Sequence, residues 1–183
     1  FIAGTYNVSP MTGYKELLSD FTSKESDAIS LITFPEGYTT DEIINLLVEH
    51  GIGNKENYID VINNYDFDYW FIDELGDDWA ESGRFYRLDG YLFPDSYQFY
   101  NSSSEITVIN KFLARFEDIF VKSYKERALE LGYSVDEIMT LASIIEKEAG
   151  GQNEFSEVSS VFHNRLSNSS VFPNLESDAT VVY

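Results

Sequence analysis

The chain has 183 residues, 43% of them hydrophobic, and a formal net charge of −20 at neutral pH. This much apolar sequence can bury a core, and the negative charge argues against nucleic acid or an anionic membrane surface as a direct partner. Because cysteine is absent and His50 and His163 lack metal-ligand spacing, we expect no disulfide, no metal and no cofactor.

The first 70 residues alternate between strand and helix signals. Strands are predicted over residues 1–8 and 28–34, and helices over residues 14–21, 41–50 and 54–64. Thr40 is expected to cap the second of these helices, and Gly51 to end it. No catalytic group stands out here, so this part is expected to be a compact module with a binding or spacing role.

Helix signals dominate the second part of the chain. A long amphipathic helix is predicted over residues 105–131, where Gly132 ends it, and another over residues 154–166. The inward face of that last helix is expected to consist of Phe155, Val158, Val161, Phe162 and Leu166. Its C-terminal end carries Arg165, a cation able to hold an anion or a sugar hydroxyl.

The run between these two helices carries the candidate catalytic group. Ser134 and Glu137 form a capping-box pattern, so a helix is predicted over residues 135–149. Its buried face is expected to consist of Ile138, Leu141, Ala142, Ile144 and Ile145. At about 100° per residue, Glu148 lies roughly 50° from the centre of this face and Glu146 about 110° from it.

The position of Glu148 suggests an acid. A carboxylate at the edge of an apolar face loses water, which favours the neutral form and raises the pKa. A carboxyl group that keeps its proton near neutral pH can serve as a general acid. The ordinary alternative is a solvated glutamate in the last turn of a helix.

Four blocks of sequence resemble one enzyme family. They read Leu-Asp-Gly-Tyr-Leu-Phe-Pro-Asp-Ser-Tyr at 88–97, Leu-Ala-Ser-Ile-Ile-Glu-Lys-Glu at 141–148, Val-Phe-His-Asn-Arg-Leu at 161–166 and Leu-Glu-Ser-Asp-Ala-Thr-Val-Val-Tyr at 175–183. In this order they resemble the signature blocks of the YceG-like (MltG) endolytic murein transglycosylases. The turn Phe34-Pro-Glu-Gly37 and the helix after it resemble the LysM-like subdomain of that family.

This resemblance implies an α+β fold in two parts. A small LysM-like α/β module would occupy residues 1–70, and a mainly helical catalytic domain residues 71–183. The implied reaction cleaves the β-1,4 bond between N-acetylmuramic acid and N-acetylglucosamine in peptidoglycan and leaves a 1,6-anhydro end. The implied partners are peptidoglycan strands and the wall-synthesis machinery. The implied location is the outer face of the bacterial cytoplasmic membrane, reached by an N-terminal anchor that these residues do not include.

The resemblance also implies roles for individual residues. Glu148 would be the catalytic acid, preferred over Glu146 because it lies nearer the apolar face. Substrate binding would fall to Asn164, Glu176, Ser177, Asp178, Thr180 and Tyr183. Asp89, Tyr91 and Tyr97 would line the same cleft or only brace it.

The chain departs from the family pattern at two positions and in its extent. Where the family block usually reads Gln-Ser-Asp-Pro-Thr, Glu176 replaces glutamine and Ala179 replaces proline. Ionised glutamate only accepts hydrogen bonds, whereas glutamine also donates them. Since family members continue beyond this block, the C-terminal part of the catalytic domain is expected to be missing here.

Two alternatives remain open at this stage. The first is a peptidoglycan hydrolase in which Glu176 or Asp178 serves as a second carboxylate beside Glu148. It would produce reducing ends instead of anhydro ends. The second is a protein that binds the cell wall without cleaving it.

Overall fold

The computed structural model describes residue 14, residues 29–76 and residues 79–178. Two strands, β1 (Ile29–Thr33) and β2 (Ser96–Tyr100), pair antiparallel, with Ile29 opposite Tyr100. The helices are α1 (Thr40–Glu49), α2 (Lys55–Asn64), α3 (Trp70–Asp73), α4 (Glu105–Ile119), α5 (Lys122–Glu130), α6 (Val135–Glu148) and α7 (Phe155–Ser167). The described part is therefore α+β and mainly helical, as predicted.

Side-chain caps determine where several helices begin. Thr39, and not the predicted Thr40, caps α1, because its hydroxyl accepts from the Glu42 amide while the Glu42 carboxylate accepts from the Thr39 amide. Ser134 and Glu137 form the same reciprocal pair at the start of α6, which confirms the predicted capping box.

The single helix predicted over residues 105–131 is wrong, because the chain breaks between α4 and α5. Phe120 leaves the helical conformation with a ψ of 70°, and Val121 is extended. The Phe120 ring stacks on Phe116 and also contacts Trp70 and Tyr124. Tertiary packing of one aromatic ring accompanies the break, and neither proline nor glycine signals it in the sequence.

One hydrophobic core extends across the boundary predicted at residue 70. Phe34, which follows β1, packs its ring against Tyr97 and Phe99 of β2 and Phe112 of α4. The pairing of β1 with β2 crosses the same point. Within the described residues the boundary does not separate two cores, and the LysM-like assignment of residues 1–70 stays a prediction.

Helices α6 and α7 bury less apolar surface than predicted. In α6, Leu141 is buried whereas Ala142 is exposed; in α7, Phe162 is buried whereas Val161 and Leu166 are exposed. The prediction was wrong for those three exposed residues. Helical periodicity gives the direction of a side chain but does not ensure that another element covers it.

Some predictions concern residues outside the described ranges. These include the strand over residues 1–8 and all but residue 14 of the helix over residues 14–21.

No helix among the described residues combines the length and apolar character needed to cross a bilayer. In the same part of the chain, no group of three or more His, Asp or Glu side chains is arranged to hold a metal ion.

Candidate active site

The end of α6 places Glu148 beside the loop that follows α7. Glu148 is half-buried in the last turn of the helix. Ser177 lies in the loop with only 3% of its surface exposed, and its Oγ donates a hydrogen bond to Oε1 of Glu148. The two residues are 29 positions apart in sequence. This contact orients the carboxyl group and gives Oε1 the role of an acceptor.

The loop is attached to α7 through Arg165. Nη1 of Arg165 donates to the backbone carbonyl of Leu175, and Nη2 lies 3.7 Å from Oε2 of Glu176. Glu176 adopts a φ of +51°, in the left-handed region that residues with a Cβ seldom occupy. This left-handed residue immediately precedes Ser177.

Glu146 lies in a different environment from Glu148. Residues two apart project about 200° from each other around a helix, so the two carboxylates leave α6 on different sides. Glu146 borders an open pocket of about 390 Å³ between α6 and α7. The other lining residues are Ala142, Ile145, Phe155, Ser156 and Ser159. The preference for Glu148 as the acid remains a prediction, and its contact with Ser177 is the geometry that favours it.

The remaining predicted substrate-binding residues near the end of the chain are only partly described. Asp178 follows Ser177 and is exposed. Asn164 is exposed on α7, where its backbone carbonyl accepts a hydrogen bond from Asn168 Nδ2 at 2.9 Å. Thr180 and Tyr183 lie outside the described residues.

Tyr91 and Tyr97 are core residues, which corrects their assignment to substrate binding. Tyr91 is 1% exposed and donates to Asp136 Oδ1 at 3.0 Å, and Tyr97 is 8% exposed and donates to the Phe93 carbonyl at 2.6 Å. Burial raises the pKa of both phenols. With their rings covered by the core they cannot stack on a sugar, and the bracing role stays a prediction. Asp89 also braces, accepting from the Tyr86 backbone amide at 3.0 Å.

Sequence reasoning missed the residues that hold α6 at its two ends. At the start, Asp136 accepts hydrogen bonds from Tyr91 and from Arg84 Nη2. At the end, Lys147 Nζ donates to the Gly37 carbonyl at 2.8 Å. An acid in the first turn of a helix is a recognisable dipole signal, but nothing in the sequence points to Arg84 or to the Lys147–Gly37 contact.

Comparison with known families and with individual proteins points to the same family. The model of the YceG-like family matches residues 1–183. A Bacillus subtilis protein described as an endolytic murein transglycosylase is 27% identical over 187 residues, covering 100% of this chain and 51% of that protein. A Streptococcus pneumoniae protein with the same description is 28% identical over 179 residues, covering 90% of this chain and 32% of that protein.

A solved structure is also similar. The crystal structure of a YceG-like protein from Listeria monocytogenes matches with a TM-score of 0.69 and 26% identity. The match covers 99% of this chain and 60% of that chain. In all three matches this chain covers only part of the other protein. It spans about half the length of the Bacillus relative and about a third of the Streptococcus relative.

Proposed function

The chain belongs to the YceG-like family, and from that premise we propose that it carries the general acid of a peptidoglycan lytic transglycosylase, Glu148. The observation that supports this most directly is the hydrogen bond from Ser177 to Glu148. It joins two blocks of sequence that each resemble the family, and it orients the carboxyl group in a half-buried position. The similarity to two proteins described as endolytic murein transglycosylases supports the same reaction class.

The proposed reaction uses one carboxyl group twice. Protonated Glu148 donates its proton to O4 of the leaving N-acetylglucosamine while the bond between that oxygen and C1 of N-acetylmuramic acid breaks. The resulting carboxylate accepts the proton of the muramyl C6 hydroxyl while O6 bonds to C1. The products are a 1,6-anhydro end and a free 4-hydroxyl, with Glu148 protonated again. Since the nucleophile belongs to the substrate, the second carboxylate that hydrolases use is not required.

The charge of the chain bears on how the proposed substrate is bound. A net charge of −20 weakens attraction to anionic wall polymers. Glycan binding is therefore proposed to depend on hydrogen bonds and on contact with sugar rings. We propose that the activity lies outside the cytoplasmic membrane, where peptidoglycan lies, and that residues 1–70 form a LysM-like module.

Product analysis tests this function. The complete protein that contains this sequence is incubated with purified sacculi, and soluble products are identified by mass spectrometry. We expect anhydro-muramyl products, reduced at least about 100-fold by Glu148→Gln because an amide cannot donate the acid proton. Glu146→Gln is the matched control, and it should retain most of the activity.

Each alternative has its own outcome in this experiment. Reducing muramic ends would indicate a hydrolase using Glu176 or Asp178 as a second carboxylate. Wild-type amounts of anhydro product from Glu148→Gln would show that another group is the acid. Binding to sacculi without products from any variant would indicate a binding protein.

A further inference from the structure

We propose that Arg165 is a positioning residue that holds residues 175–177 so that the Ser177 hydroxyl stays on Glu148. The inference deepens the proposed function, on which its kinetic consequences rest. Nothing in the family comparison assigns a role to Arg165. Its role follows from three linked observations: the contacts of Arg165 with the loop, the backbone conformation of Glu176, and the hydrogen bond from Ser177 to Glu148.

The first contact is the attachment of Arg165 to two successive residues. One guanidinium nitrogen donates to the carbonyl of Leu175 and the other lies 3.7 Å from the carboxylate of Glu176. The guanidinium group is planar and permanently protonated, so its donors have fixed relative directions. The hydrogen bond to Leu175 fixes the location of the loop, and the longer, partly exposed pair with Glu176 adds only a weak preference for its orientation.

The second step is the left-handed backbone conformation of Glu176. A left-handed conformation is unfavourable for a residue with a Cβ and persists where surrounding contacts maintain it. Arg165 contacts the carbonyl of Leu175, the preceding residue, and the side chain of Glu176. If Arg165 is removed, this backbone conformation can relax, and Ser177 is then no longer directed toward α6.

The third step is the effect on Glu148. Ser177 is almost completely buried and donates to Oε1 of Glu148. As long as Ser177 donates to Oε1, that oxygen is the acceptor, and the acidic proton of protonated Glu148 is expected on Oε2. Arg165 thereby influences, through the loop, which carboxyl oxygen delivers the proton and in which direction.

A double-mutant cycle in the complete protein tests this chain of contacts. Arg165→Lys keeps the charge but lacks the planar pair of donors, and Ser177→Ala removes the hydroxyl. Each should lower kcat for anhydro product from purified glycan strands about 10-fold, with KM changed by less than about twofold. In the double variant the loss should remain about 10-fold, since both changes break the same path.

A control variant and two contrary results complete this test of Arg165. Arg127→Lys changes an exposed arginine that pairs with Glu130 on α5, and it should leave kcat unchanged. Independent effects in the double variant, multiplying to about 100-fold, would overturn the proposal. Wild-type kcat in Arg165→Lys would also overturn it. Arg165→Gln provides a second variant, and circular dichroism verifies that every variant is folded.

A spectroscopic measurement separates this inference from the proposed function. The side-chain carboxyl 13C resonance of Glu148 is assigned by its disappearance in Glu148→Gln. Arg165→Lys and Ser177→Ala should shift this resonance in the same direction, and the double variant should add little. This result is expected even if the protein makes no anhydro product. A shift in Ser177→Ala alone, with none in Arg165→Lys, would overturn the role of Arg165.

Discussion

Lys147 Nζ donates a hydrogen bond to the backbone carbonyl of Gly37 across 110 positions of sequence. The contact joins the last turn of α6, which carries Glu148, to the turn after β1. Glu146 borders the same turn, since a Cβ atom at Gly37 would lie 3.6 Å from its Oε1. The N-terminal part of the described chain therefore supports the end of the helix that carries the proposed acid.

Replacing Lys147 with methionine should weaken this support. The side chain keeps its approximate length but loses the donor to Gly37, so the free energy of unfolding should fall by about 0.5–1 kcal/mol. Urea unfolding measures the change. Lys147→Arg keeps a donor and is the matched control, expected to lie closer to the wild type. Equal stability of Lys147→Met and the wild type would show that the contact contributes nothing.

Replacing Phe34 with alanine tests whether the described chain has one core. Its buried ring contacts β2 and α4, so its loss should cost about 3–5 kcal/mol. Urea unfolding of the wild type and of Phe34→Ala is followed by tryptophan fluorescence and by circular dichroism. For each protein, the two signals should change in one transition with the same midpoint. Phe85→Ala is the control, because Phe85 is 71% exposed and should change stability by less than about 0.5 kcal/mol. Two separate transitions would instead support independent folding on either side of residue 70.

Alkaline pH should destabilise the fold through its buried tyrosines. Burial is the main cause that raises the pKa of Tyr58, Tyr91 and Tyr97 above the ordinary value near 10. Just above pH 10, these phenols ionise in the unfolded chain but stay neutral in the folded state. Their contribution to stability is therefore complete below about pH 10 and is lost as the pH rises further, by about 1.4 kcal/mol per pH unit for each group.

The tyrosine prediction is measured by comparing two proteins. Urea unfolding of the wild type and of Tyr91→Phe is followed between pH 8 and pH 11. Above pH 10, the stability of Tyr91→Phe should fall less steeply, because one ionisable phenol has been removed. Parallel curves for the two proteins would contradict the inference that Tyr91 resists ionisation in the folded state.

Replacing Glu176 with glutamine should have little effect on the proposed activity. The Glu176 side chain is 66% exposed and its pair with Arg165 is long, at 3.7 Å. Such pairs contribute about 0–1 kcal/mol, and the amide oxygen of glutamine can still accept from Arg165. Anhydro-product formation should stay within about twofold of the wild type. A loss of tenfold or more would contradict this expectation and show that the Glu176 carboxylate contributes to the activity.

Much of the secondary structure follows from local signals in the sequence. The capping box of Ser134 and Glu137 predicts where α6 begins, and the positions of α1 and α2 are predicted to within about one residue. These signals act within one helical turn, where a side chain meets backbone amides three residues away. The sequence blocks around Glu148 and Ser177 likewise indicate the family without any structure.

The break between α4 and α5, the burial of Tyr91 and Tyr97, and the exposure of Val161 and Leu166 were not predictable in this way. Each depends on which distant surface covers a side chain. Periodicity reports where a side chain points and not what lies opposite it. The wrong predictions therefore concern packing and seldom concern the type of local structure.

The sequence by itself determined the family, the helix that carries Glu148 and the limits of that helix, because these depend on residues close together in the chain. Only the tertiary structure decided that Ser177 reaches Glu148, that Arg165 reaches the Leu175 carbonyl and that Lys147 reaches Gly37. Contacts across 29 and 110 positions depend on folding to bring distant parts of the chain together. The proposed acid is therefore encoded locally, and its orientation is a property of the folded chain.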